Sequence, residues 1–290
     1  MASLKEIKGR IGSVEGTLKI TSAMKMVASA KLHKAQGAIE SMLPYDRQLH
    51  KMMVSLLSGD TKISSPYCEK HDKVKRVAVV AIASNSSLCG GYNSNVVRHL
   101  NALLKEYADQ GYGEEAIDCY IIGRKLDQSM SKVKGFRQIR DFVDKGDNPA
   151  FATARDLATR LMDDYRNGRI DRVELVYMHF KSTASQIPTR EEYLPVQLNP
   201  EGQEGGATGY IIEPTPDAVL NALIPDALCM KIFTIMLDAQ AAEHAARTVA
   251  MQTATDNAND LLNELRIQYN KGRQAAITAE LLDIVGGSMK

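Results

Sequence analysis

Two long heptad patterns, one at each end of the 290-residue chain, constrain its fold most strongly. In the N-terminal segment, steps alternating between three and four residues follow one continuous seam, which is typical of a helix that pairs with another helix. The seam consists of Leu4, Ile7, Ile11, Val14, Leu18, Thr21, Lys25, Ala28, Leu32, Ala35, Ile39, Met42, Asp46, Leu49, Met53 and Leu56. The sequence therefore predicts a long N-terminal helix, which Pro44 is expected to kink or break because proline lacks a backbone donor.

A second heptad pattern occupies the C-terminal part of the chain. Pro225 suits the first turn of a helix, and neither glycine nor proline occurs from residue 226 to residue 271. The repeating positions are Leu228, Ile232, Ile235, Ala239, Ala242, Ala246 and Val249, followed after a phase shift by Met251, Ala254, Ala258, Leu261 and Leu265. We expect the two helices to form an antiparallel coiled coil in which residues 210–290 pair with residues 1–58.

The middle of the chain, residues 73–200, alternates strand and helix patterns. Strands are predicted at 76–83, 117–122 and 172–180, with an edge strand at 193–198, and helices at 94–107 and 151–165. This order predicts a mostly parallel, Rossmann-like α/β domain, followed by a glycine-rich loop or disordered connection at 201–209. The fold class is therefore α+β or α/β: a coiled coil from residues 1–70 and 210–290 with an inserted α/β domain.

No catalytic constellation is recognisable in the sequence. The stretch SNSSLCGGYN lies between a predicted strand and a helix, where a Rossmann-like fold would bind phosphate, but it lacks GxGxxG and a Walker lysine. A tight turn formed by Leu88, Cys89, Gly90 and Gly91 is the favoured interpretation, with both glycines required. The four cysteines lie far apart and predict reduced thiols, with no disulfide or zinc site.

The charge pattern favours a protein partner. The formal net charge is +1, yet the first 52 residues carry nine basic and four acidic side chains. Aromatic residues for base stacking are missing before Tyr45, so an acidic protein surface is a better partner for this helix than nucleic acid. The N-terminus lacks the apolar core of a signal peptide, and the longest apolar run, 77–83, is far shorter than the ~20 residues of a membrane span.

The segment TSAMKMVASAKL has an unusual surface for a paired helix. It places Thr21 and Lys25 in the seam, while Ile20, Met24 and Val27 project away from it. Methionine suits a contact that must repack against more than one neighbour, because its side chain is flexible. A partner around the helix is therefore predicted, and packing under the α/β domain is the alternative.

Four stretches of the sequence resemble the gamma subunit of F-type ATP synthase. They are EIKGRIGSV, KITSAMKMVASAKL, SLCGGYN and RTVAMQTATDNANDLLNELRIQYNKGRQAAITAELLDIVGG. The resemblance covers both predicted helices and the domain between them. It implies a central rotor shaft, with paired helices inside a ring of alternating alpha and beta subunits. The α/β domain would lie at the foot, beside the epsilon subunit and the membrane ring of c subunits.

The resemblance also implies how such a chain would act. Rotation of the asymmetric shaft would drive the beta active sites through different conformations, coupling ion flow to ATP synthesis or hydrolysis. The chain itself is expected to be non-catalytic, with no cofactor, metal or nucleic acid. One copy per alpha/beta hexamer is expected at the cytoplasmic face of the bacterial inner membrane, associated with the membrane only through the complex.

Seven positions carry the implied contacts with the beta subunit. Met24 and Lys25 match a segment that faces beta, and four C-terminal positions match residues associated with beta contact and coupling, with Arg273 beside them. These four are Arg247, Gln274, Thr278 and Glu280. Both arginines could form charge-assisted bonds to carboxylates of the surrounding ring.

The chain departs from the usual family pattern before the LCGG turn. An acidic residue and an arginine often stand there, where this chain has Asn85 and Ser86 or Ser87, which puts a foot contact through those charges in doubt. The chloroplast-type regulatory cysteines are not visible, so thiol control is not expected. Considered without the resemblance, the residues also allow a coiled-coil adaptor with no motor role or a nucleotide-binding α/β enzyme with helical arms.

Overall fold

The computed structural model describes residues 3–57, 65–71, 73–197, 213 and 215–288. Contacts divide the chain into two compact units: Met1–Ser29 with Arg247–Lys290, and Ala30–Ala246. The helices are α1 (Leu4–Leu57), α2 (Tyr92–Asp109), α3 (Arg124–Met130), α4 (Phe151–Arg166) and α5 (Pro216–Ser288). The strands are β1 (Val77–Ile82), β2 (Ile117–Ile122), β3 (Arg137–Ile139), β4 (Arg172–Ser182) and β5 (Ser185–Leu194).

In the first unit, the beginning of α1 pairs antiparallel with the end of α5. The Lys25 ammonium donates a hydrogen bond of 2.7 Å to the side-chain oxygen of Gln252. Near the other end of the unit, Leu4 packs against Gly272, where an added Cβ would lie 3.1 Å from the Leu4 side chain. Because the earlier residue of α1 contacts the later residue of α5, the predicted antiparallel pairing of the chain ends is confirmed.

The seam inside this unit follows the predicted period with two corrections. Its buried members are Ile7, Thr21, Ala28, Met251, Ala258, Leu262 and Leu265. The predicted seam residues Val249 and Leu261 are exposed, and Leu262 is buried in place of its neighbour. The predicted seam used Ala254 because Thr255 is polar. In the structure, Thr255 is the residue whose hydroxyl contacts that of Thr21 across the helices, so the seam lies one residue later at this point.

The predicted helix break at Pro44 and the predicted helix start at Pro225 were wrong, whereas a kink at Pro44 stays a prediction. Helix α1 continues through Pro44, which is exposed, so backbone groups that lose a partner there can be hydrated. Helix α5 begins at Pro216 and contains Pro225 in its interior. Its start is set by Thr215, whose hydroxyl accepts a hydrogen bond of 3.2 Å from the backbone N–H of Ala218.

The second unit contains a five-stranded sheet with the order β3-β2-β1-β4-β5. The strands β3, β2, β1 and β4 are mutually parallel and β5 is antiparallel to β4, which confirms the predicted mostly parallel α/β domain. All residues of β1 and β2 are buried, as expected for apolar strands covered on both faces. The chain crosses from β3 to β4 on the opposite side of β1, as in Rossmann-like sheets.

The predicted edge strand at 193–198 was placed too late. Strand β5 ends at Leu194 and forms a hairpin with β4 from Ser185 onward. Its residues are mostly half-buried and include several charged side chains, so the period-2 signal is weak. Short β3 and α3 were also not predicted, and the connection at 201–209 lies outside the described residues.

Three hydrophobic clusters form the core of the second unit. One fills the sheet face covered by α4, α5 and the end of α1, and another fills the face covered by α2 and α3. The third is small and lies between α1 and α5, with Leu32, Ala35, Ala241 and Ala245 as its buried members. The small alanine side chains allow the two helices to approach closely at that point.

Helix α5 contains a window that is long and apolar enough to cross a membrane by length and composition alone. Part of that window, 44%, is buried inside the structure. Leu228, Ile232 and Ile235 of α5 pack in the sheet core, and core helices satisfy the same composition test.

Candidate functional site

The first pair of predicted contact residues lies on α1 in the first unit. Met24 is half-buried, whereas its neighbours Ile20 and Val27 are 62% and 56% exposed. The outward apolar surface of this segment therefore consists of Ile20 and Val27 together with Met26, and Met24 contributes only partly to it. Lys25 is half-buried and bonds to Gln252 of α5, so its ammonium links the two helices.

The predicted contact residues on α5 form a second group. Arg273, Gln274, Thr278 and Glu280 are exposed, while Arg247 is half-buried. The hydroxyl of Thr278 donates to the backbone carbonyl of Gln274 at 2.9 Å, one helical turn earlier. These two side chains share one helix face, as their spacing predicts, and that hydroxyl hydrogen is already engaged.

The structure does not bring the seven positions together into one site. Lys25 is level with Gln252, and Arg247 lies five residues before Gln252 on α5. From Gln252 to Gly272, next to Arg273, there are 20 residues of continuous helix, or about 30 Å. The contacts predicted on α5 therefore belong to two levels of one long helix, and their role in partner binding remains a prediction.

The turn that follows β1 has the tight conformation expected of it. Gly90 has φ +58°, a value that favours glycine, whereas Gly91 has φ −83° and tolerates other residues. The backbone conformation therefore favours glycine at Gly90 and not at Gly91, and the requirement itself stays a prediction. Leu88 adopts φ +66°, which is costly for a side chain with Cβ, and is 59% exposed. The turn thus presents an apolar side chain from a strained backbone.

Side-chain hydrogen bonds hold this turn in place. The amide group of Asn93 donates to the Ser86 carbonyl at 3.1 Å and to the buried Cys89 sulfur at 3.2 Å. The carbonyl oxygen of the same amide accepts from the backbone N–H of Ser84 at 3.1 Å. A single asparagine therefore closes the loop onto the first turn of α2.

Asn85, which lies before the tight turn, has a structural role. Its side-chain oxygen accepts from the backbone N–H of Arg124 at the start of α3, at 3.0 Å, and its side-chain nitrogen donates to the Asp144 carbonyl at 3.1 Å. A carboxylate could accept the first bond but could not donate the second. Asparagine at this position therefore joins α3 to the segment after β3.

The end of β1, where a Rossmann-like fold would bind a phosphate, is closed by the chain itself. An added Cβ on Gly123 would lie 2.3 Å from the Ala83 carbonyl oxygen, and one on Gly146 would lie 2.8 Å from the same atom. The hydroxyl of Tyr92, the first residue of α2, donates to the Ala239 carbonyl of α5 at 3.0 Å. Backbone and helix occupy the space at the end of this strand, which favours the tight-turn interpretation over nucleotide binding.

The four cysteines are free thiols, as predicted. Burial raises the pKa of the Cys119 thiol to about 12, and burial also raises the pKa values of Cys68 and Cys229. A high pKa keeps a thiol in its neutral, weakly nucleophilic form. These three groups are therefore poorly suited to covalent catalysis.

Two buried carboxylates in the sheet were not recognised from the sequence. The guanidinium of Arg137 donates to Asp118 at 2.7 and 2.6 Å, and that of Arg190 donates to Glu174 at 2.6 and 2.9 Å. Tyr107 also donates to Glu174 at 2.6 Å. An acidic residue inside an apolar strand is the signal that could have revealed them, because such residues are seldom buried unpaired.

The sequence matches the family model described as ATP synthase over residues 3–289. ATP synthase gamma chains of Phocaeicola vulgatus and Bacteroides thetaiotaomicron are 55% and 51% identical to it, each alignment covering 100% of both proteins. The gamma chain of Flavobacterium johnsoniae is 39% identical, with 99% of this chain and 98% of that protein covered.

Solved structures share the fold at lower identity. A chain of the Euglena gracilis mitochondrial ATP synthase in rotational state 3 has a TM-score of 0.64 at 19% identity, covering 99% of this chain and 93% of that one. A chain from the central stalk and c-ring structure of the Tetrahymena thermophila enzyme has a TM-score of 0.55 at 24% identity, covering 81% and 99%. The chain therefore belongs to the ATP synthase gamma-chain family, whose members form the rotor shaft of that complex.

Proposed function

We propose that this chain transmits torque without catalysing a reaction itself. Its paired helix ends would turn inside a ring of alpha and beta subunits, and residues 73–200 would form the foot that joins the epsilon subunit and the c-ring. One copy per alpha/beta hexamer would couple ion flow to ATP synthesis or hydrolysis. Residues 1–70 and 210–290 would form the shaft.

The observation that carries the proposal is the surface of the first unit. Two helices bury a narrow seam against each other, yet Ile20, Met26 and Val27 remain exposed on one side. More apolar side chains are exposed near the end of α5, among them Ile277, Leu281 and Ile284. Exposed apolar surface of this kind marks a protein interface, and its partner here would be the alpha/beta ring.

The non-catalytic role and the location are parts of the same proposal. The closed end of β1 and the neutral buried thiols support a chain without its own active site. The bacterial relatives are gamma chains of a membrane-associated complex, which supports a position at the cytoplasmic face of the inner membrane, held there by the complex.

Co-expression with the alpha and beta subunits tests the proposal. A tag on this chain should recover both subunits with the chain present once per alpha/beta hexamer, and the complex should hydrolyse ATP. The purified chain alone should neither bind nor hydrolyse ATP. ATP turnover by the isolated chain would support an enzyme, whereas recovery of neither subunit would support a free-standing adaptor.

A further inference from the structure

Phe180, near the end of β4, contacts two cores that are otherwise separate. It packs against the cluster on the sheet face covered by α2 and α3, and also against the small cluster between α1 and α5. Among the described residues, it is the side chain that these two hydrophobic clusters share. This ring therefore adds an apolar contact between the sheet and the part of the helix pair that contains Leu32 and Ala35, beside the contacts that α5 and the end of α1 make in the sheet cores.

The Phe180 contact lies far along α1 from the other contacts that this helix makes with the sheet. The small cluster contains Leu32 and Ala35 of α1, with Ile39 packed beside them. The next residue of α1 buried in a sheet core is Leu49, 14 residues after Ala35, or about 21 Å along the helix. Phe180 thus supports α1 far from its remaining attachment to the domain.

The strand segment that carries Phe180 extends beyond the parallel sheet. Strand β1 pairs with β4 only as far as Val176, and from Tyr177 to Ser182 β5 is the strand partner of β4 in the part of the chain that the structure describes. An isolated two-stranded hairpin is only marginally stable and needs packing or hydrogen bonds to hold its position. Tyr177 and Met178 are buried in the two sheet cores and anchor the segment that far, so contacts from outside the sheet matter for the residues beyond them.

Asp238 of α5 supplies those hydrogen bonds. One carboxylate oxygen accepts from the backbone N–H of Phe180 at 3.0 Å, and the other lies 2.7 Å from Nδ1 of His179. The Asp238 side chain is 15% exposed, so these bonds lie in a partly desolvated place where they are strengthened. One turn further along α5, Ala241 contributes to the cluster that receives the Phe180 ring.

We infer that Phe180 braces α1 of the shaft against the α/β domain, and that Asp238 is the positioning residue that seats Phe180 there. This inference rests on the proposed rotor function. Without the brace, the small cluster that contains Leu32 and Ala35 of α1 would lose the one sheet residue that packs against it among the described residues. The domain would then twist more freely relative to the helix pair.

Thermal fluctuation of the domain in an assembled complex measures the brace directly. The chain is assembled with the alpha and beta subunits, and a gold rod is attached to exposed α2 through Lys105→Cys in a Cys68→Ser background. With the ring stalled, the angular variance of the rod reports the torsional stiffness between ring and domain. We expect F180A and D238A to widen this variance relative to the same Lys105→Cys, Cys68→Ser chain with Phe180 and Asp238 intact, with F180A widening it more.

Matched variants separate bracing from general damage. D238N retains an oxygen that accepts from Phe180 N–H and should restore most of the stiffness, and F180L should lie between wild type and F180A. K231A is the control, because it removes an α5–β5 ion pair of 2.7 Å without touching the hairpin end. Equal variance in D238A, F180A and wild type would overturn the brace.

The same assay distinguishes this inference from the function on which it rests. Addition of ATP should rotate the rod on the wild-type complex. Failure of that rotation would overturn the rotor proposal itself. Normal rotation combined with unchanged stiffness in the variants would leave the rotor intact and reject only the brace.

Discussion

The hydroxyl of Thr255 donates a hydrogen bond of 2.9 Å to the hydroxyl of Thr21, inside the seam between the paired helices. Thr21 is buried, and the seam around it is otherwise mostly apolar. Each hydroxyl also contacts a carbonyl of its own helix, Leu18 for Thr21 and Met251 for Thr255, so a slip of one heptad would cost the polar contact between the helices. The pair therefore favours one alignment of the helices.

Removing this pair one hydroxyl at a time should reveal its coupling. Thr21→Val and Thr255→Val should each destabilise the chain by about 1 kcal/mol, because each removes the hydrogen bond between the helices, while the remaining hydroxyl keeps the backbone carbonyl of its own helix. The double variant should cost less than the sum of the two, because neither hydroxyl then remains. Urea unfolding followed by far-UV circular dichroism measures all three. Strict additivity would contradict the predicted coupling.

The helix pairing was predictable because its signal is local and periodic. Ala28 and Leu265 follow from a repeat that is visible along the chain, and the same is true of the continuous apolar run of β1. Thr255 was missed because a polar seam residue is recognised only once its partner across the helices is known. The contacts of Asp238 with Phe180 were missed for a related reason, since 58 residues separate them in sequence.

Gly123 is predicted to be the least replaceable glycine of the α/β domain. Its φ of +108° disfavours any residue with Cβ, and that atom would lie 2.3 Å from the Ala83 carbonyl. Gly123→Ala should therefore prevent folding or lower the thermal midpoint sharply. Gly111→Ala is the control, because Gly111 has φ +90° but nothing within 4 Å of the added atom. That control should cost only about 1–3 kcal/mol, and equal losses would show that the close contact is unimportant.

Arg190 is predicted to be essential for keeping the Glu174 carboxylate buried. Arg190→Ala should destabilise the domain by about 3–5 kcal/mol, because it leaves the buried Glu174 carboxylate without the guanidinium that donates two hydrogen bonds to it. Arg190 also pairs with exposed Glu106 at 2.7 Å, and Glu106→Ala should cost under about 1 kcal/mol. Chemical denaturation of both variants provides the comparison. Similar costs for the two changes would mean that burial of Glu174 contributes little.

Stability should fall in alkaline solution, and Tyr120 should contribute to that fall. Burial raises the pKa of Tyr120 to about 12 from the usual 10.0. Below pH 10 the phenol is protonated in both the folded and the unfolded chain, so its contribution is fully present. Between pH 10 and 12 the unfolded chain loses this proton first, and stability declines. Tyr120→Phe should make the decline of stability shallower. The control Tyr45→Phe, at an exposed position, should leave the decline unchanged. Equal slopes would contradict the prediction.

Met24→Lys should impair coupling between ATP hydrolysis and ion pumping. Met24 is half-buried beside the exposed residues Ile20 and Val27, so a lysine there would add a charge to a surface proposed to slide against the beta subunit. Met26, which is 62% exposed, belongs to the same outward surface, so Met26→Lys should impair coupling at least as much. In reconstituted vesicles, the ratio of ions pumped to ATP hydrolysed should therefore fall in both variants. Unchanged ratios in both variants would refute the contact at this position.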